Sequence, residues 1–489
     1  MTFAQRVLLG VLLATTAGGC EAGPSAFVRG ENPGPEDTAD ASSLPRIPQA
    51  TDVEPFATDT PAGGIAPAIV GAIGGAEPAA VFTDTGAVGV PPVFTKPDHV
   101  RGLYLNAWAA GSTRRMDALL ALARATEVNT FVIDIKDASG YVSHRTDVSL
   151  AREAGATNEL RIRDLPRLLR RLAAEGIYPI ARIVVVQDPV LAAARPDMAI
   201  QDRDGGVFKD GKGFYWLNPY DRHVWDYHVA LAREVAGMGF PEIQWDYIRF
   251  PDVPAGEKAR MVYPGAGDTP QHQAIADFLA YARAGLADLG VTVTADVFGV
   301  TTSASRDVGI GQIWESLIDD VDVALPMVYP SHYWKGSFGY QTPNAHPYEV
   351  VKRALQDALR RSAAIEGAGV TRPWLQDFTL GQPRYGVPEV RAQIQAAYDV
   401  GIMEWILWNP GSRYTEAALE PVGGFPEEPR IRVGGRIVPV SGRYAVLDSI
   451  AAPARPAGDS LRAQPDTTQA RPDTTVTRPD TTRAGELPR

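Results

Sequence analysis

Eight short apolar runs punctuate the middle of this chain, and most of the gaps between them are long enough for a helix. The runs are 102–108, 129–136, 178–186, 242–250, 291–298, 321–329, 373–378 and 402–408, most of them rich in β-branched and aromatic residues. Between them apolar positions recur at helical spacing, as in 114–126, 165–175, 222–238, 271–289, 348–364 and 388–400. Asp164 stands as an N-cap before the second of these, and Gly176 and Gly401 follow the ends of two. Eight β–α repeats predict an α/β fold, a closed parallel (β/α)8 TIM barrel rather than an open doubly wound sheet. No Gly-rich dinucleotide fingerprint follows the first run, which also argues against the open sheet.

The barrel is expected over 99–425, within a chain of 489 residues. Residues 1–20 read as a lipoprotein-type signal: Arg6, the apolar run 7–14, then small residues ahead of Cys20, the only cysteine. Cys20 is the expected lipidation site, so the membrane would be met only through a lipid anchor. Residues 21–98 lack any lasting period and read as a disordered linker. Residues 426–450 read as a small β hairpin appended to the barrel, with Pro439 suited to an edge. From 451 to 489 the chain is a disordered tail in which Pro-Asp-Thr-Thr starts at Pro465, Pro472 and Pro479.

The formal charge of -11 and pI near 5.3 exclude the basic stripe of a nucleic-acid binder. A lone cysteine and scattered histidines without H-E-x-x-H give no metal-ligand pattern, and no G-x-S-x-G elbow is present. No metal and no cofactor are expected.

What remains is carboxylate chemistry at the ends of the strands. Asp134 and Asp137 end the second run, Asp246 lies near the end of the fourth, and Asp296 ends the fifth. Asp377 lies in the seventh and Glu404 in the eighth. Alternation puts Val132, Asp134 and Lys136 on one face of the second strand, and Thr292, Thr294 and Asp296 on one face of the fifth. Glycoside hydrolysis needs two carboxyl groups across one glycosidic oxygen. Asp246 and Asp296, on neighbouring strands, meet that need. Asp377 is expected to complete the set, and Arg182 or Arg249 to hold Asp246 ionised.

Sugar rings stack their C–H faces on aromatic side chains, and Tyr104, Trp108, Tyr329, Trp334 and Trp408 sit at or past strand ends. These residues are expected to bind substrate together with Asn106, Asp134, Lys136, Arg182, Arg249 and Glu404. Asn218, His332 and Asn409 are further hydroxyl partners. Trp245 points towards the helices by alternation. The long connection 187–220 is expected to form a lid or subsite wall.

Six blocks then carry a family resemblance, in this order: 101–104 (RGLY), 131–137 (FVIDIKD), 216–220 (WLNPY), 244–251 (QWDYIRFP), 294–299 (TADVFG) and 326–330 (PMVYP). Together they resemble DUF4015, a bacterial glycoside hydrolase family related to the α-amylase-like barrels. The resemblance implies a (β/α)8 barrel acting on carbohydrate outside the cytoplasm. It implies that Asp246 is the nucleophile and Asp377 a stabiliser. At the strand 5 acid position, where the related barrels usually carry Glu, this chain has Asp296.

The expected activity is hydrolysis of an extracytoplasmic polysaccharide or oligosaccharide with retention, at the bacterial envelope. The alternatives are a catalytically inactive carbohydrate-binding barrel and, less well matched, a polysaccharide deacetylase or lyase.

Overall fold

A computed structural model describes residues 90–425, 430–433 and 435–439. The signal with Cys20, most of the linker and the tail from 451 lie outside the described residues.

Eight parallel strands close into a barrel: β1 (Arg101–Leu105), β2 (Thr130–Lys136), β3 (Tyr178–Val184), β4 (Glu242–Asp246), β5 (Thr292–Phe298), β6 (Val323–Met327), β7 (Trp374–Gln376) and β8 (Trp405–Trp408). Each pairs with the next, β8 returns to β1, and β6 meets β7 at Met327 and Trp374. Long helices follow six strands: Thr113–Ala125, Leu165–Ala174, Arg222–Gly237, Gln271–Leu286, Pro347–Ser362 and Val387–Asp399. These match the helical periods in the sequence to within a turn. Asp164 caps the second by accepting from the Arg167 N–H at 2.9 Å. That helix buries Leu165, Leu168, Leu169 and Leu172 on one face, each worth about 1.5–3 kcal/mol on transfer from water. The connection from β5 to β6 carries only 3₁₀ turns. There the Asp307 carboxylate accepts from the N–H groups of Gly309, Ile310, Gly311 and Gln312.

Period-2 alternation divides the strand residues between two cores. Phe131, Ile133, Ile135, Val293, Ala295 and Val297 pack between sheet and helices. Trp245 does the same, its ring edge-on to Phe278 at 5.4 Å. Tyr104, Val132, Ile180, Leu325, Trp374, Ile406 and Trp408 fill the interior. The floor of the interior is ionic. Arg372, fully buried, donates to Glu242 at 2.6 Å and to Glu404 at 2.7 Å.

Several strands are shorter than their apolar runs. β1 stops at Leu105 because Asn106 turns to cap the short helix Ala107–Gly111. β4 stops at Asp246 because Tyr247 takes a left-handed φ of 51°, unusual for a bulky side chain. β8 begins only at Trp405, so Glu404 lies below it. The hairpin is present as Arg430–Val433 against Arg436–Pro439, antiparallel, with Ile431 and Val433 buried.

Candidate active site

The C-terminal ends of the strands open into a cavity of about 370 Å³ lined by Tyr104, Arg182, Asp246, Asp296, Tyr329, Trp374 and Trp408 among others. That size suits a small ligand. The loop after β3 supplies Gln187 and Phe214 to the wall, as the sequence led us to expect of 187–220.

Arg182 on β3 organises the floor of this cavity. The register sets Arg182 between Asp134 on β2 and Gln244 on β4. Its Nη1 donates to Asp134 Oδ1 at 2.5 Å, while Tyr104 donates to Asp134 Oδ2 at 2.5 Å. Its Nε donates to Asp246 Oδ2 at 2.9 Å, and Nη2 donates to the same oxygen. Asp246 Oδ1 accepts from the Tyr247 N–H at 2.5 Å. The same Nε lies 3.7 Å from Asp296 Oδ2. On β5, Asp296 accepts from Gln244 Nε2 at 2.8 and 3.0 Å and from Trp374 Nε1 at 2.6 Å.

Electrostatics separates these carboxyl groups. Burial, reinforced by the nearby Asp246 charge, drives Asp296 well above the usual carboxylate range, against the pull of Arg182, Trp374 and Gln244. Burial pushes Asp134 up to about 6, with Arg182 opposing. Two neighbouring groups, one salt-bridged and one held protonated, form the pattern of an acid–base site.

The walls are aromatic. Tyr104 stacks on Trp408 with centroids 3.9 Å apart, and Trp374 meets Trp408 edge-on at 5.4 Å. His332 lines the cavity too, and burial lowers its imidazole to about 4, so it stays neutral at ordinary pH. Arg249 is buried in the wall, close over Tyr247, Phe298 and Trp216. It is therefore Arg182 that donates directly to Asp246.

Several expected residues are placed elsewhere. Asp377 does not line the cavity; both its oxygens accept from Thr415, through N at 2.8 Å and Oγ1 at 2.6 Å. Alternation explains this, because Trp374 faces the interior and Asp377, three residues on, faces the opposite way. Burial raises Asp377 to about 6. Lys136 does not share the face of Asp134. A register shift between the two turns it to Asp188, 2.8 Å away, and to the Val184 carbonyl. Glu404 belongs to the ionic floor at the opposite end. Asn106 is a cap, accepting from the Ala109 N–H and donating to the Pro410 carbonyl. Asn218 donates to the Pro264 carbonyl and Asn409 to that of Asp377. Trp108 lies on the rim, and Trp334 is half-buried outside the cavity lining. Sequence reasoning missed Trp374 and Gln244. Both stand on interior faces: alternation along β4 already sets Gln244 on the face of Asp246, without giving it a role, and continuing it through β7 would have found Trp374.

Residues 102–414 match the model of a family described as "Putative glycosyl hydrolase domain". No curated protein matches the chain. Among solved structures, a hypothetical protein from Ruminiclostridium thermocellum ATCC 27405 is 37% identical over 40% of this chain and 97% of its own, with a TM-score of 0.37. The glycoside hydrolase domain of PgaB (BpsB) from Bordetella bronchiseptica is 12% identical over 65% of this chain and 95% of its own, with a TM-score of 0.47. The α-galactosidase TtGalA from Thermus thermophilus is 16% identical over 72% and 68%, with a TM-score of 0.42.

Proposed function

The chain belongs to the DUF4015 family of glycosyl hydrolase domains, and on that premise we propose a retaining hydrolysis carried out by Asp246 and Asp296. Asp246 attacks the anomeric carbon while Asp296 gives its proton to the departing glycosidic oxygen. Asp296, now a carboxylate, then takes a proton from water, which attacks the same carbon and frees Asp246. Asp296 Oδ1 receives the two shortest donors, which leaves Oδ2 to carry the proton.

The observation that carries this reading is the shared Arg182 Nε. Its distances of 2.9 Å to Asp246 Oδ2 and 3.7 Å to Asp296 Oδ2 hold those oxygens within about 6.6 Å of each other. That upper limit admits the roughly 5–5.5 Å spacing of retaining pairs and only the lower edge of the roughly 6.5–9.5 Å of inverting pairs. The substrate is proposed to be an extracytoplasmic polysaccharide or oligosaccharide, in keeping with the leader-like run 7–14 ahead of Cys20.

One feature favours the second reading, a barrel that binds carbohydrate without turnover: Arg182 loads Asp246 Oδ2 with two donors. A glycan panel incubated with wild type and Asp246→Asn, with products read by mass spectrometry and anomers by NMR, separates the two. Turnover should fall by on the order of 10³-fold or more in the variant, with binding retained. Normal activity in Asp246→Asn would refute the nucleophile assignment.

A further inference from the structure

Trp108 is the one aromatic residue among the large hydrophobic side chains that stand exposed in the described structure, with 58% of its surface open. It sits on the short helix Ala107–Gly111, directly after β1, at the end of the barrel where the cavity opens. Two cavity-lining loops flank that helix. On one side Asn106 and Arg115 bind the 410–412 segment through the carbonyls of Pro410, Gly411 and Ser412. On the other, Arg161 lies over the Trp108 ring, 5.5 Å from its centroid, and over Tyr141 at 5.6 Å. Arg161 also donates to Asp137 and, at 2.9 Å, to Ser139, both of which line the cavity.

The indole thus has one face backed by a buried, hydrogen-bonded guanidinium and much of its surface in water. Leaving so large an apolar surface exposed is unfavourable, and a backed ring is already ordered before a ligand arrives. A pyranose ring offers the matching surface, an apolar C–H face with hydroxyls around its edge. The Arg161 charge is met by Asp137 and Glu159, so the platform offers no net positive charge to an anionic sugar.

We propose that Trp108 forms an outer sugar subsite, and that the substrate is a chain of several pyranose units running from the cavity across the rim onto this ring. This rests on the hydrolase reading and narrows its substrate class from any glycoside to an oligomer or polymer.

The test uses the full chain carrying Asp246→Asn, with and without Trp108→Ala or Trp108→Phe. Titration calorimetry measures binding of β-1,4-glucose, β-1,4-N-acetylglucosamine and α-1,4-galactose oligomers, from disaccharide to hexasaccharide. In one series affinity should rise with length. Trp108→Ala should remove roughly 2- to 12-fold of that rise, and Trp108→Phe should restore most of it. Affinity that is flat with length in every series, or a length dependence that survives Trp108→Ala, overturns the subsite. Products released by the wild type from the same oligomers test the hydrolase reading separately: cleavage with flat affinity refutes the platform alone, and length-dependent binding without cleavage refutes the chemistry alone.

Discussion

Asp377→Asn tests whether this carboxyl group belongs to the chemistry or to the fold. Asp377 is buried, held by two donors from Thr415, and raised to about 6 from an ordinary value of 3.8. The folded state therefore keeps its proton more tightly than the unfolded chain. Well below 3.8 both states are protonated, and the group is neutral with respect to stability. As pH climbs towards 6 the unfolded state ionises first, and stability falls. Above 6 the full difference is lost, about two pKa units or on the order of 3 kcal/mol. Asparagine does not titrate, so it escapes that loss. It does surrender one acceptor to Thr415, a cost of about 1–3 kcal/mol that is the same at every pH. The pH dependence of the difference is therefore the informative quantity. Urea unfolding of wild type and variant at pH 4.5 and pH 8 should show the variant gaining about 2 kcal/mol on the wild type between the two. Turnover should be retained. A difference that does not change with pH, or a folded variant without activity, would refute the structural role.

Trp374→Phe removes a donor that favours the ionised form of Asp296. The alkaline limb of kcat, which requires the protonated acid, should move to higher pH; a general loss of packing would lower the profile without moving it. At the floor, Arg372→Met strands Glu242 and Glu404. Urea unfolding should report a loss of about 3–5 kcal/mol, while kcat/KM of the folded protein changes by less than about threefold, because the network lies at the end of the barrel away from the cavity.

The barrel was legible because closed parallel sheets need two apolar signals in alternation, and this chain writes both. β2 and β5 sort their residues between the two cores as period 2 requires, and Trp245 packs outward as alternation predicts. Asp246 and Asp296 were legible for the same reason, as acids on interior faces of adjacent strands. Alternation was not carried far enough elsewhere. Applied to β7 it turns Asp377 away and brings Trp374 in. Lys136 could not be read correctly at all, since the register shift after Asp134 is made by pairing with β3 and leaves no local mark. Glu404 was misjudged because an apolar run does not reveal where pairing begins. The choice of Arg182 over Arg249 as the partner of Asp246 depends on cross-strand register, which no single strand encodes.

The pairing of β6 with β7 has a consequence for how the barrel holds itself shut. Val323 and Ala324 pair with Val370 and Thr371, but two positions on, Pro373 has no N–H to offer, and contact resumes only where Met327 meets Trp374. The seam is interrupted here, and its upper stitch is made by two residues that also line the cavity. A ligand spanning Met327 and Trp374 would act as a further fastener on the wall. Occupancy would then protect this seam from local opening, so that the substrate, while bound, serves as a stave of the barrel that cleaves it.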